Sequence, residues 1–141
     1  MSKQFSIAVA IWARSVLFVG LISLFILPIF DGLAAFYVGI AIFIVGFILT
    51  APLLPLITPL VKASVRLPYK TKASKAWLSF FLMLIAFIFL LSLGWIFGIN
   101  YQAIFWKRII ISTLISVLLA TLSVSKSFEN YKMETDATNL V

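Results

Sequence analysis

The stretch "TAPLLPLITPLVKASVRLPYKTKASK", Thr50 to Lys75, passes from an apolar segment with three prolines straight into five cations and no acid. Pro52, Pro55 and Pro59 lie at spacings of three and four, within an arc of about 60° on a helix of 3.6 residues per turn. Each lacks an N–H, so the carbonyls of Ile48, Ala51 and Pro55 lose their usual helical donors, and Thr58 can join them on that side. Broken helices of this kind line ion and substrate sites in transporters, close to the bilayer midplane. Counting from Leu33, however, 20 residues already reach Leu53, a full crossing. The spacing therefore predicts a helix that kinks or ends at the membrane surface, with water to satisfy the freed carbonyls. The cations that follow then act as a topology signal.

Composition supports a membrane setting. Of 141 residues, 64% are hydrophobic and 11% charged, and mean hydropathy is +1.21. A water-soluble domain of this size has too large a surface-to-volume ratio to hide so much apolar surface. Four apolar blocks, about 8–29, 33–61, 77–99 and 104–124, each approach the roughly 20 residues needed to cross as a helix. Lipid offers no partner for unpaired backbone groups, and four segments cannot close a barrel, so each block is expected to be helical. The first block is longer than the apolar region of a cleavable signal and lacks a small-residue cleavage pattern, which predicts a retained span.

Short turns, "LPIFDG" and "FGINYQ", predict an all-α membrane domain over 1–125. It is expected as two antiparallel hairpins joined by a basic linker at 62–76, with a short polar tail at 126–141. Four spans place the N-terminus, the linker and the C-terminus on one side. There lie Lys3, Arg14, Lys62, Arg66, Lys70, Lys72, Lys75, Lys126 and Lys132, against Lys107 and Arg108 opposite. This asymmetry predicts cytoplasmic termini and a bacterial inner-membrane location. Trp12, Tyr69 and Trp77 are expected near the inner boundary, and Trp95, Tyr101 and Trp106 near the outer one. The tail is expected to fray from the fourth helix and finish disordered. A faint echo between Ile29–Tyr37 and Ile96–Trp106 is what a duplication leaves, but turn chemistry and interfacial aromatics produce it as well and are the favoured reading.

Several residues stand out as candidates. Arg14 lies about 6 Å into the first block at 1.5 Å per residue, and its long stem is expected to carry the guanidinium back to the headgroups. Asp31 is the one acid in the outer turns and is expected to pair with Arg108 or Lys107 across the hairpin ends, affecting register more than stability. Gly32, Gly39 and Gly46 recur every seven residues. Ser112, Ser116 and Ala120 recur every four. Such stripes allow helices to approach closely in lipid and predict packing seams, with a pore lined by the serines as the sharper alternative. Lys62, Arg66, Lys70, Lys72 and Lys75 are placed to meet anionic lipid headgroups, each contributing about 1 kcal/mol near the surface.

The chain has no cysteine and no histidine, which removes thiolate chemistry, the commonest metal ligand and the commonest general base. None of the phosphate-cradling, nucleophile-elbow or zinc-protease patterns occurs. The spans carry no Asp, Glu or His, so acid–base chemistry has no carrier at membrane depth. No catalysis, cofactor or metal is expected. Expected partners are the bilayer, anionic lipids, and other membrane subunits or further copies of this chain. Nucleic acid is not expected, since one short basic loop with a single aromatic supports it poorly. The expected role is an accessory, assembly or immunity-type membrane component acting through helix packing. The alternative is a small oligomeric transporter, flippase or channel subunit.

Overall fold

The computed structural model describes residues 2–25, 29, 37, 40, 43–44, 46–48, 50–96, 98 and 104–138, with the backbone alone at 105 and 138. Among them the chain is helical apart from Ser2, the connection Leu67–Lys70 and the turn residues Gly98 and Val124, with no strand. We number the helices α1 (Lys3–Phe25), α2 (Leu54–Arg66), α3 (Thr71–Ile96), α4 (Ile104–Ser123) and α5 (Ser125–Thr138). A 3₁₀ turn, Ala51–Leu53, precedes α2. Four segments are long and apolar enough to cross a membrane: Lys3–Phe25, Gly46–Arg66, Thr71–Ile96 and Trp106–Ser123. The chain is thus an all-α multi-pass membrane protein.

The prolines do not end the second span. Pro52 and Pro55 occupy the first-turn positions of the 3₁₀ turn and of α2, where a helix has no use for the missing N–H. Only Pro59 lies inside α2. The carbonyl of Ala51, which Pro55 leaves without its usual donor, accepts instead from the Leu54 N–H. Thr58 does not add to bare carbonyls either, because its hydroxyl donates back to the Leu54 carbonyl at 3.0 Å. The helix continues to Arg66, and Leu67 turns extended at φ −64°, ψ 138°. The residue after it is Pro68, whose ring excludes helical geometry from the residue it follows. Pro68 is the terminator.

Helix ends and membrane ends therefore differ. The connection predicted at 62–76 shrinks to Leu67–Lys70, because Lys and Arg leave the apolar region without leaving the helix. At the far end of α3, Gly98 adopts φ +62° and its N–H donates to the Trp95 carbonyl at 3.3 Å. A glycine enters that left-handed geometry without a Cβ penalty and so stops the helix.

α1 packs most extensively on α4 and also on α2, while α3 packs on α4 and α2. The end that carries Lys3, the α2–α3 connection and α5 is filled by one cluster. Ala8, Val61, Leu78 and Ala120 are fully buried there, with Phe128 of α5 among them. Large apolar side chains such as Leu21, Phe80, Ile88 and Leu122 face outward, as expected of spans solvated by lipid.

The first part of the tail, Ser125–Thr138, is a helix that packs on the bundle where a fraying end was expected; residues 139–141 lie outside the described residues. Val124, Phe128 and Lys132, at spacings of four, are buried on one face of this segment. Phe128 is 1% exposed, and its burial contributes about 1.5–3 kcal/mol. That contribution, together with the contacts described below, offsets the cost of ordering a short polar helix.

Candidate functional site

Two features concentrate the polar chemistry and the free volume: an interlock at the end carrying α5, and a cavity within the bundle.

The interlock begins with helix termini. The last four carbonyls of any α-helix lack intrahelical donors and carry partial negative charge. At the end of α2, Lys132 Nζ donates to the Val65 and Leu67 carbonyls at 3.0 and 2.9 Å. Its side chain is only 4% exposed, with Asp136 Oδ1 at 3.8 Å. At the end of α4, Arg14 Nη1 donates to the Ser123 carbonyl at 2.8 Å and to Ser123 Oγ at 2.9 Å. Arg14 itself is exposed, and its guanidinium caps that helix end. Each cation closes the C-terminus of a helix other than its own.

Further contacts tie α5 to the same end. Lys75 Nζ lies 2.6 Å from Glu129 Oε1 and donates also to Ser125 Oγ. The Glu129 carboxyl is held below the usual glutamate range, first by the hydrogen bond from Lys75, then by that from Ser125 and the lysine's charge. Lys3 pairs with Glu134, and Tyr131 Oη donates to Gln4 Oε1 at 2.7 Å. α5 is therefore fastened to α1, α2 and α3 at once.

The cavity measures about 280 Å³ and takes lining from all four spans. Trp12 and Val16 of α1, Gly46 and Ile57 of the second span, Phe89 of α3 and Ile109 of α4 are among its walls. No charged side chain lines it among the described residues. Its hydroxyls are turned to their own helices: Ser15 donates to Ile11, Thr50 to Gly46 and Thr113 to Ile109, at 2.6–2.9 Å. Trp12 is held against the second span. Its indole N–H donates to Thr50 Oγ1 at 3.0 Å and its ring packs on Phe47 at 4.6 Å. Trp106 also lines the cavity, and its buried indole N–H has no hydrogen-bond partner among the described residues.

The small-residue positions divide. Ser112, Ser116 and Ala120 are buried, and the Ser116 hydroxyl donates to the Ser112 carbonyl at 2.7 Å. That hydroxyl's one donor is thereby spent on its own helix. At Gly46 a Cβ would meet nothing within 4 Å among the described residues. The close approach is at Gly20, where a Cβ would run into the Phe43 ring. Gly32, Gly39 and Asp31 lie outside the described residues, and with them the Asp31–Arg108 pair; Arg108 itself is half-buried. Among the five cations expected to face lipid, Lys62, Arg66, Lys70 and Lys72 are exposed. Lys75 is instead engaged by Glu129.

The capping roles of Arg14 and Lys132 had no local signal, because their partners are backbone carbonyls 109 and 67 or 65 residues away. Phe128 and Tyr131 in an otherwise polar tail were the visible hint that it docks. No cluster of three potential metal-ligating side chains occurs among the described residues. No protein-family model matches the chain, and no curated protein or solved structure does so either.

Proposed function

We propose that this chain is a non-catalytic component of a bacterial inner membrane, of the accessory, assembly or immunity type, acting through helix packing with membrane partners. The observation that carries this reading is the character of the bundle interior. Its hydroxyls are spent on their own helices and no titratable side chain lines its cavity among the described residues. An interior of that kind supports neither a conduction path for ions nor acid–base chemistry. The charged groups of the interlock instead hold one end of the bundle together.

In this reading the spans form two antiparallel hairpins with both termini in the cytoplasm, following the charge asymmetry. The exposed Lys62, Arg66, Lys70 and Lys72 then face the anionic leaflet. The test is purification in mild detergent, with mass spectrometry of whatever co-elutes. Stoichiometric foreign membrane subunits are the expected result. A homo-oligomer that moves a dye or lipid across liposomes overturns it. That outcome belongs to the second reading, a small transporter or flippase, which the cavity shared by all four spans favours.

A further inference from the structure

We propose that the bilayer surface meets the bundle at the level of Arg14 and Ser123, so that α5 and the first three turns of α1 stand in water as a helical head and Arg14 sits in the phospholipid headgroup layer. Three observations set that level.

The first is register. α5 is too polar for hydrocarbon, since its span Ser125–Thr138 holds Lys126, Glu129, Lys132, Glu134 and Asp136. α1 runs antiparallel to it. Arg14 bonds Ser123, just before α5 begins, Tyr131 donates to Gln4, and Lys3 pairs with Glu134. From Ser123 to Glu134, and from Arg14 back to Lys3, each helix advances about 16 Å at 1.5 Å per residue. Whatever depth α5 takes, the first three turns of α1 share it. Hydropathy alone starts the first span near residue 8. The contacts to α5 move the start of the crossing to Arg14.

The second is the exposed surface. Beyond Arg14 the outward side chains of α1 include Leu17, Leu21 and Phe25. On α3 exposed large apolar side chains begin at Phe80, and along α4 they continue to Leu122. Toward α5 they are scarce: Phe5, Tyr69 and Met133. Lipid tails solvate the first kind of surface and headgroups or water the second. Arg14 stands at the change. It is exposed, its Nη1 bonds Ser123, and its Nε and Nη2 donors have no partner among the described residues. Such donors need water or phosphate oxygens, which the headgroup layer supplies and hydrocarbon does not.

The third is thickness. From Trp106 to Ser123, α4 advances about 26 Å. From Lys75, which bonds Ser125 next to that level, to Ile96, α3 advances about 32 Å. These lengths bracket a hydrocarbon core about 30 Å thick, so the crossing is complete without the first turns of α1. A surface drawn at Lys3 instead would put the exposed Arg14 and Lys126 into hydrocarbon. The inference holds under either functional reading, since it requires only that the bundle sits in a bilayer.

The test uses the full chain, which has no cysteine of its own. Ser6→Cys, Leu17→Cys, Leu122→Cys and Ser127→Cys are each labelled with bimane and reconstituted into vesicles of phosphatidylcholine brominated along its acyl chains. All four positions are exposed, so the dye displaces no packed side chain. Bromine on the acyl chains quenches dyes that reach hydrocarbon. Bimane at Leu17 and Leu122 is expected to lose most of its fluorescence relative to vesicles without bromine, and bimane at Ser6 and Ser127 to lose none. Should one of these variants fail to fold, Leu21→Cys and Met133→Cys repeat the comparison on the two sides of the level. Quenching at Ser6 as deep as at Leu17 overturns the proposal, because α1 then enters lipid from its first turn. Quenching at Ser127 overturns it too, as does an absence of quenching at Leu17 and Leu122.

Discussion

Replacing Lys132 by Met removes a charge and keeps most of the apolar stem, so it isolates what the ammonium does. That ammonium is almost wholly enclosed and bonds two carbonyls at the end of α2, at 3.0 and 2.9 Å. Hydrogen bonds involving a charged group contribute about 1.5–3 kcal/mol, and a cation at a partly buried helix C-terminus adds up to about 2 kcal/mol. Against this stands the cost of dehydrating the ammonium, which the methionine no longer carries. Water also reaches helix-end carbonyls once α5 lifts away. The net loss is about 2–3 kcal/mol in the docking of α5, or a roughly 30- to 150-fold rise in its open population. Limited trypsinolysis after the exposed Lys126 measures that population directly, because a docked helix resists cleavage and an open one does not. The cleavage rate of Lys132→Met is expected to rise by that factor while the spans stay folded by circular dichroism. Lys132→Arg keeps the charge and is expected to fall between the two. If Lys132→Met is cleaved within threefold of the wild-type rate, the capping argument is refuted.

Acid is expected to release α5 as well. The Glu129 carboxyl is depressed in the folded chain by Lys75 and Ser125. Its contribution is complete above the ordinary glutamate range and is lost as pH falls through the lowered value. A fluorophore on Met133→Cys, the sole thiol in a cysteine-free chain, reports the release, and Glu129→Gln is expected to flatten that pH response. Gly20→Ala drives a methyl into the Phe43 ring and is expected to lose about 1–3 kcal/mol in thermal unfolding, whereas Gly46→Ala is expected to lose nothing. Pro59→Ala restores a donor inside α2 and is expected to raise the unfolding temperature, while Pro52→Ala, at a first-turn position, is expected to leave it unchanged. Pro68→Ala is expected to let helix run on toward α3, visible as slower hydrogen exchange at Leu67–Lys70.

Some of this was open to inspection along the chain. Hydropathy is a local quantity, so the count of spans and their approximate places followed from composition in windows of 20 residues. Helix endings were less legible. Three prolines drew attention because they are clustered, yet two stand where a helix has no use for an N–H. The terminator, Pro68, sits among cations that look like linker. Polarity marks where a span leaves lipid, and backbone geometry marks where a helix stops, and in α2 these differ by several residues.

By itself the sequence determined that this is a four-span, all-helical membrane protein without thiol or imidazole chemistry, because hydropathy and residue inventory do not depend on folding. Only the tertiary structure decided which glycine is closely approached, since Phe43 stands over Gly20 and no described residue stands over Gly46. It likewise decided what Arg14 and Lys132 do. Their partners are carbonyls freed by the ends of other helices, and a freed carbonyl carries no mark in the residue that owns it. The cavity belongs to the same class. It is the space four apolar surfaces fail to fill together, and no one of them encodes it alone.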